Sequence, residues 1–244
     1  MKLEQAVDIF LYGFCLGKSI HGGFGHRRDG QFALMADDPP RKSRGRASEV
    51  VTWNLNPNWV KQKVEEWDVG RYFLCLIVPE PQDIVAPKMD FKDQGFRLLG
   101  TQPFFWTSPS PANGTLDPCI QRMSAQSELA RFERAQRRRT FDSEWFDGDD
   151  SPVRLYCKWD GSNPVGWVKS VKTPFGGNWV SDLYVAPGYR RQGLATALMT
   201  KMLIEDHRLG VEASVLLSSH AGAGLYPRLG YQRLGTLLLM RPPS

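Results

Sequence analysis

The sequence has few of the residues that build disulfides and metal sites. Its four cysteines are widely spaced, with no Cys-x-x-Cys pair, and its four histidines are scattered. The cysteines are Cys15, Cys75, Cys119 and Cys157. This pattern fits reduced thiols in a cytosolic protein better than a disulfide framework or a zinc site. His21 and His26 stand close together in a glycine-rich loop, which is weak support for a metal site. We therefore expect neither a disulfide nor a bound metal.

Long apolar runs are also missing. No stretch approaches the roughly 18 apolar residues that cross a bilayer. Residues 1–12 carry Glu4 and Asp8, which makes this segment a poor signal peptide. We therefore expect an intracellular, cytoplasmic protein without a membrane partner. The net charge of +5 favours anionic ligands in general without selecting among them.

A segment rich in proline, serine and glycine divides the chain of 244 residues. Residues 107–118 are typical of a linker, which separates an N-terminal half (1–106) from a C-terminal half (119–244). In the C-terminal half, the patterns predict strands at 119–123, 153–159, 165–171, 179–185, 211–218 and 231–240, and helices at 124–138, 193–209 and 221–229. Meandering strands followed by alternating strands and helices predict an α/β fold with a mixed sheet.

The N-terminal half contains a weaker copy of the second part of that order. Strands are predicted at 31–36, 72–78 and 97–106, and a helix at 58–67. Residues 95–101 match residues 230–236 at four of seven positions. The same offset places Phe91 opposite Tyr226. These matches predict an internal duplication.

The strongest functional signal lies at the start of the helix predicted at 193–209. An apolar strand ends at Val185, and a short turn with Arg190 and Arg191 leads into Gly193 and Ala195. Free N–H groups at a helix N-terminus, together with the positive end of the helix dipole, bind phosphate oxygens. The small residues keep side chains away, so that a diphosphate can contact the backbone. An ordinary strand-to-helix turn with a basic tip is the alternative interpretation.

This stretch resembles the acetyl-CoA-binding motif of the GCN5-related N-acetyltransferase (GNAT) superfamily. The family core is Gln/Arg-x-x-Gly-x-Gly/Ala, and here it reads Arg190-x-x-Gly193-x-Ala195. Its position after a strand and at a helix start makes the match specific. A second block, residues 218–231, resembles the family pattern Asn-x-x-Ala-x-x-Leu-Tyr-x-x-x-Gly-Phe. The resemblance implies a mixed twisted sheet of the acyl-CoA N-acyltransferase type, with two GNAT-like halves in tandem.

The resemblance also assigns roles to individual residues. Tyr226 matches the tyrosine that gives a proton to the departing thiolate, and a phenol with a pKa of ~10 suits that role. A packed core aromatic is the alternative for Tyr226. His220 stands where the family often has an asparagine near the pantetheine, and a polar contact or a helix cap is the simpler expectation. The cofactor-binding residues expected from the resemblance are Leu183, Tyr184, Val185, Arg190, Arg191, Gln192, Gly193, Leu194, Ala195, Thr196, Ser219 and His220.

A course for the cofactor and the reaction follows from the same resemblance. The strand at 179–185 should diverge from the next one, with the pantetheine between them like a missing strand. A backbone N–H near Leu183 or Tyr184 would hold the thioester carbonyl, and a deprotonated amine would attack directly. The base that removes the amine proton is not evident; Asp182, the only carboxylate in this strand, is the candidate, and an ordinary contact with solvent or a partner is the alternative. Strand alternation places Asp182 on the opposite face from Ser181 and Leu183.

The N-terminal half departs from the family pattern. Ahead of its predicted helix stands the basic run 39–46 in place of the motif, and its prolines disfavour a phosphate-binding helix start. Phe91 has no proton to give. We therefore expect a degenerate half that has kept the fold and lost the cofactor. The basic run could contact nucleic acid or the 3′-phosphate of coenzyme A, but a solvated loop is the simpler expectation. The tryptophans are expected in the core, namely Trp53, Trp59, Trp67 and Trp106.

Three functions stay open. The first is an N-acetyltransferase that moves an acetyl group from acetyl-CoA to a small primary amine. The second is the same chemistry on a protein lysine or N-terminus, and the third is a non-catalytic module that binds acyl-CoA. The presence of both Tyr226 and the complete phosphate turn favours an enzyme. The acidic residues within 142–150 would attract a cationic amine, unless they form an ordinary exposed loop. A homodimer stays open, and nucleic acid is not expected as a partner.

Overall fold

A computed structural model of the protein describes residues 1–19, 23–38, 47–110, 116–137 and 151–243. Its helices and strands, in chain order, are α1 (Leu3–Lys18), β1 (Phe24–Asp29), β2 (Phe32–Asp37), β3 (Ser48–Thr52), α2 (Pro57–Glu66), β4 (Tyr72–Pro79), α3 (Val85–Asp93), β5 (Arg97–Thr107), β6 (Ile120–Met123), α4 (Gln126–Gln136), β7 (Val153–Asp160), β8 (Asn163–Lys172), β9 (Gly177–Val185), α5 (Leu194–Arg208), β10 (Ala213–Leu217) and β11 (Gln232–Arg241). Within these described ranges, no helix combines the length and apolar character that a membrane crossing requires.

The chain folds into two compact units that exchange their terminal segments. We call Met1–Ile20, Trp106–Leu216 and Gly224–Gln232 the C-terminal unit, and His21–Phe105, Leu217–Ala223 and Arg233–Ser244 the N-terminal unit. Helix α1 therefore belongs to the C-terminal unit although it starts the chain, and nearly all of β11 belongs to the N-terminal unit although it ends the chain. The domain boundaries at 106 and 119 stay a prediction, and the compact units differ from them by these exchanged segments.

The sheet of the C-terminal unit is mixed. Its strand order is β10-β9-β8-β7-β6. β9 and β10 run parallel, whereas β6, β7, β8 and β9 form an antiparallel meander. Parallel neighbours need a crossover connection, and α5 provides it between β9 and β10. The α/β fold with a mixed sheet is therefore confirmed.

Helix α5 begins close to the backbone of β8. A Cβ atom at Gly166 would lie 2.9 Å from Leu194 Cδ2 and 3.1 Å from Leu198 Cδ1. The missing side chain at Gly166 lets the first turn of α5 lie directly on the strand. This contact sets the height of the helix start above the sheet.

Helix α1 packs against Trp179 of β9 through Gly13 and Phe10. A Cβ atom at Gly13 would lie 2.1 Å from Trp179 Cβ, so the helix backbone lies against that indole. The ring of Phe10 lies 5.0 Å from the ring of Trp179. This helix was not predicted, although its buried residues Val7, Phe10 and Leu11 have helical spacing.

The N-terminal unit has six paired strands and its own core. Its strand order is β1-β2-β3-β4-β11-β5, with β3 and β4 parallel and β11 antiparallel to β4. Side chains on the α2 face form one apolar cluster with Val60 from that helix. The fully buried strand residues of this cluster include Phe32, Val50, Leu74, Leu76 and Leu238. The last strand of the chain is thus part of the core of the N-terminal unit.

Most predicted elements are confirmed, and one is wrong. The expected helix at 221–229 is reduced to a short 3₁₀ turn at Tyr226–Leu229, and residues 220–225 form turns. Gly222 and Gly224 each disfavour a helix by about 1 kcal/mol, and Pro227 lacks a backbone donor. Four elements had no prediction, namely α1, β1, β3 and α3.

The predicted repeat has the same local geometry in both units. Phe96 N–H donates to the carbonyl of Phe91 at 3.0 Å, and Tyr231 N–H donates to the carbonyl of Tyr226 at 3.1 Å. The intervening glycines have φ of 87° and 83°, which favours glycine. The rings meet edge to face at 5.2 Å in the first pair and 5.6 Å in the second.

Candidate active site

The C-terminal unit contains an opening between two parallel strands. β9 and β10 are paired only from Gly177 with Ala213 to Val180 with Leu216. β9 then continues to Val185, and its further partners lie on β8. Residues 181–185 therefore present one backbone edge without a strand partner in the described part of the chain. Unpaired N–H and C=O groups at such an edge bind an extended ligand in the manner of an added strand.

A β-bulge shapes this edge. Ser181 pairs with Lys169 and Tyr184 pairs with Trp167, so that two residues of β9 face one residue of β8. Asp182 has a φ of 54°, which is uncommon outside glycine. A bulge re-aims side chains and disrupts the ladder. The expectation that Asp182 follows strict strand alternation is therefore wrong.

The bulge brings Asp182 to a buried lysine. Lys169 Nζ lies 2.7 Å from Asp182 Oδ2. The lysine side chain is only 6% exposed, whereas that of Asp182 is 42% exposed. A buried ammonium requires a partner, so this pair fixes the carboxylate at the start of the unpaired edge.

The start of α5 leaves its first amides without acceptors. Ala197 N–H makes the first helical bond, to the carbonyl of Gly193 at 3.0 Å. In the described ranges, nothing accepts a hydrogen bond from the N–H groups of Leu194, Ala195 and Thr196. Gly193 has a φ of 81°, and a Cβ atom at this position would meet no other atom within 4 Å. Three free amides and open space form a seat for an anion.

The turn that leads into α5 is held by its own side chains. Arg190 Nε donates to the carbonyl of Val185 at 2.9 Å, and Gln192 Nε2 donates to the carbonyl of Gly188 at 2.9 Å. The hydroxyl of Tyr189 donates to Asp160, and this bond raises the pKa of Tyr189. Residues 190–193 remain exposed. The turn is thus braced from within while its basic surface faces solvent.

A buried ion pair holds the other end of α5. Arg154 Nη2 on β7 lies 2.8 Å from Asp206 Oδ1, with side-chain exposures of 4% and 0%. Burial raises the pKa of Asp206 to about 6, although the charge of Arg154 opposes that rise. The sequence did not predict this ion pair, because Arg154 and Asp206 are far apart in the chain. The pair ties the last turn of α5 to the sheet, so that the helix keeps its position although its first turn is uncapped.

Tyr226 lies on the 3₁₀ turn of the same unit. It is 6% exposed, and its ring meets that of Tyr231 edge to face. The hydroxyls of Tyr231 and Ser214 are 2.6 Å apart, and burial raises the pKa of Tyr231. Tyr231 is therefore a rigid support against which Tyr226 is packed.

Comparisons with known proteins agree with this geometry. The family model described as Acetyltransferase (GNAT) family matches residues 120–231. These residues form a GNAT domain. No curated protein matches the sequence. The solved structure of a GCN5-related N-acetyltransferase from Kribbella flavida is 16% identical, with a TM-score of 0.62, over 98% of this chain and 96% of that one.

Two further solved structures share the fold over nearly the whole chain. A GCN5-related N-acetyltransferase from Sphaerobacter thermophilus is 16% identical, with a TM-score of 0.56, over 98% of this chain and 93% of that one. A tandem GNAT protein from the clavulanic acid biosynthesis pathway is 14% identical, with a TM-score of 0.56, over 98% of this chain and 95% of that one. These likenesses show that the described residues have the same fold as these solved structures, one of which is a tandem GNAT protein.

The predicted site residues are divided between the two units. Asp182, the backbone of 183–185, the turn 190–196 and Tyr226 all belong to the C-terminal unit. Ser219 and His220 belong to the N-terminal unit. There, Gly222 N–H donates to Ser219 Oγ at 3.3 Å, and His220 Nε2 lies 2.6 Å from Thr101 Oγ1. A contact of Ser219 and His220 with the cofactor stays a prediction.

The N-terminal unit begins its corresponding helix in a different way. Asn56 Oδ1 accepts hydrogen bonds from Asn58 N–H at 3.0 Å and from Trp59 N–H at 3.2 Å. Pro57, the first helical residue, has no N–H. The start of α2 therefore has no donor left for an anion, which is the arrangement of a side-chain cap. The sequence Asn-Pro was the available signal, but β3 had not been predicted in front of it.

Several expectations concern other parts of the chain. The basic run 39–46 and the acidic segment 142–150 lie outside the described residues. Trp53 is buried, and the rings of Trp59 and Trp67 contact Phe32 in the core of the N-terminal unit. All four cysteines are free thiols, and burial raises the pKa of Cys157 to about 12. Among the described residues, no group of histidine, cysteine and acidic side chains could hold a metal ion.

Proposed function

We propose that the GNAT domain transfers an acetyl group from acetyl-CoA to a primary amine of a small molecule. The observation that carries the proposal is that the same unit contains two features: an uncapped helix start at Gly193 and a strand edge at 181–185 that has no strand partner in the described chain. The helix start offers N–H groups to a diphosphate, and the strand edge offers backbone N–H and C=O groups to an extended chain. Coenzyme A contains both parts, joined end to end.

Residues of the C-terminal unit can be assigned to the successive parts of coenzyme A. The amides of Leu194, Ala195 and Thr196 would bind the diphosphate, with Arg190, Arg191 and Gln192 at the edge of the turn. The backbone of Leu183, Tyr184 and Val185 would bind the pantetheine. Ser219 and His220 are assigned to the same ligand on the resemblance alone.

The chemistry needs three tasks from the protein. A backbone N–H of Leu183 or Tyr184 would stabilise the charge that develops on the thioester oxygen. Asp182, next to Leu183 in the chain, is the carboxylate that would receive the amine. As the carbon–nitrogen bond forms and the carbon–sulfur bond breaks, the nitrogen releases one proton to solvent water and Tyr226 gives one to the departing sulfur.

The proposal is tested by measuring thiol release from acetyl-CoA with a panel of small amines and lysine-containing peptides. Turnover that depends on a small amine supports it. Turnover with peptides alone would replace it by protein acetylation. Binding of acetyl-CoA without release by any acceptor would replace it by a non-catalytic acyl-CoA module. The reaction as proposed involves neither nucleic acid nor a second copy of the chain.

A further inference from the structure

A row of aromatic side chains crosses the GNAT domain on the face of the sheet that α4 covers. The ring of Trp159 on β7 lies 6.4 Å from that of Phe132 on α4, and Phe132 lies 5.2 Å from Trp167 on β8. Trp167 is then stacked on Tyr184 of β9 at 4.2 Å with an interplanar angle of 25°. The contacts change from edge-to-face to stacked as the row approaches β9.

Tyr184 ends this row at the unpaired edge. Trp167 covers one side of its ring and is itself 5% exposed, whereas Tyr184 is 38% exposed. On the edge of β9 that faces away from β8, no strand of the described chain is paired with residues 181–185. An exposed aromatic face next to a proposed reaction centre is a stacking surface for another planar group.

A fixed carboxylate stands two residues from this ring. Asp182 is bound to Lys169, and Lys169 lies directly opposite Ser181 on the neighbouring strand. Lys169 follows Trp167 by two residues, so both side chains are on the α4 face. The ring of Tyr184 and the carboxylate of Asp182 therefore flank the bulge together, and Lys169 holds the carboxylate in place.

This pairing favours one class of amine. Asp182 is a single carboxylate, which matches one ammonium group, and the buried Lys169 is already paired with it and so offers no cation to the carboxylate of an amino acid. An ammonium group fits Asp182, and a ring joined to it by a short flexible chain fits the exposed face of Tyr184.

We infer that the acceptor is a primary amine carrying an aromatic ring, with the ring stacked on Tyr184 and the amine bound by Asp182. Lys169 is the positioning residue for that carboxylate. This inference rests on the proposed function for its reaction but concerns the acceptor alone. Asp182 acts here as the anchor of the amine, so its loss should act on the KM for the amine more than on kcat.

The stacking half of the inference is tested with phenylethylamine and cyclohexylethylamine. These amines have similar shapes and differ in aromaticity. The intact chain should show a kcat/KM that is about two- to tenfold higher for phenylethylamine, the range typical of an aromatic pair. Tyr184→Leu should remove that preference. Phe175→Leu is the matched control, since Phe175 is 37% exposed in the same unit, and it should retain the preference.

The charge half is tested with variants of the ion pair. Asp182→Asn should raise the KM for phenylethylamine about tenfold and leave the Kd for acetyl-CoA unchanged. Lys169→Met should also raise the KM for phenylethylamine, and Lys169→Arg should bring this KM back towards the value of the intact chain. Lys201→Met removes another paired lysine of this unit and should have no such effect. A fall in kcat at constant KM in Asp182→Asn would make Asp182 the base and overturn its role as anchor.

Direct binding separates this inference from the proposed function. Calorimetry of phenylethylamine with the chain saturated by coenzyme A should give binding that Tyr184→Leu and Asp182→Asn weaken. Such binding without turnover of any amine would support the subsite and contradict the transfer reaction. Turnover without aromatic preference, or a Tyr184→Leu variant that only weakens acetyl-CoA, would contradict the subsite and leave the reaction standing.

Discussion

In each unit a helix connects two parallel strands: α2 lies between β3 and β4, and α5 lies between β9 and β10. The N-termini of these two helices are chemically opposite. At α2, Asn56 accepts from two amides and Pro57 has none to offer. At α5, Gly193 has no side chain, and three amides have no acceptor in the described structure. The difference teaches that a helix start is free for a ligand only where the sequence has left it uncapped.

The two helices are also stabilised differently. Helix α2 is capped at its start, and its ion pair between Lys63 and Glu66 is partly exposed. Helix α5 has no cap but carries the buried pair of Arg154 and Asp206 at its far end. Since a lost cap costs about 1 kcal/mol, a buried anchor keeps α5 in place without occupying its first amides.

The largest expected effect on cofactor binding is at Gly193. Gly193→Trp places a side chain at a left-handed position and in front of the free amides. We expect the Kd for acetyl-CoA to rise at least about 100-fold, because several hydrogen bonds to a charged group are lost. Gly210→Trp is the matched control, since Gly210 also has a positive φ of 71° and open space around it but lies after the other end of α5. Calorimetry on both variants checks this, and equal affinities would break the comparison.

The next effect concerns the buried anchor. Arg154→Met leaves the carboxylate of Asp206 buried without its cation, which typically costs about 3–5 kcal/mol of unfolding free energy. Loss of the cation raises the pKa of Asp206 above its present value of about 6. The carboxyl group is then neutral at low pH, so the loss should be largest near pH 8 and shrink towards pH 5.

Urea unfolding at the two pH values measures this effect. Lys201→Met is the control, because its partly exposed pair with Glu205 lies on the same helix and should contribute less than about 1 kcal/mol. A loss in Arg154→Met that is small and independent of pH would mean that the pair does not anchor α5.

Sequence patterns predicted those features of the two units that are formed by residues close together in the chain. The core Arg190-x-x-Gly193-x-Ala195 is contained in six neighbouring residues, so both the turn and the helix that follows it were recognised. The repeat between 95–101 and 230–236 was also readable, because it is a match of contiguous residues. The cap at Asn56 was local as well, but it was overlooked because β3 had no prediction.

Features that depend on pairing between distant segments were missed. The bulge at Asp182 exists because of the register between β8 and β9, which no strand pattern contains. Arg154 and Asp206 meet only after α5 has packed on the sheet. The place of β11 beside β4 likewise depends on a long-range exchange. Alternation and spacing describe one segment at a time and cannot show these contacts.

An intermediate effect is expected at Tyr226. Tyr226→Phe keeps the packing on Tyr231 and removes the proton donor, so thiol release should slow by about 100-fold, the lower range for acid catalysis. The Kd for acetyl-CoA should stay nearly unchanged. Stopped-flow thiol detection and calorimetry measure the two quantities. A weaker affinity with unaltered turnover would make Tyr226 a binding residue.

The smallest effect tests the other helix start. Asn56→Ala removes the cap of α2 and should lower the free energy of unfolding by about 1 kcal/mol without changing acetyl-CoA affinity. Asn58→Ala, two residues later on the same exposed helix, is the control and should change stability less. Thermal unfolding and calorimetry check both points. A changed affinity in Asn56→Ala would place cofactor in the N-terminal unit and reverse the comparison.

A crystal structure of the complete chain with coenzyme A tests the central claim most directly. The account predicts one molecule per chain, with diphosphate oxygens about 3 Å from the amides of Leu194, Ala195 and Thr196, and an unchanged cap at Asn56. Diphosphate bound at the start of α2, or a turn at Gly193 that stays empty beside bound cofactor, would contradict it.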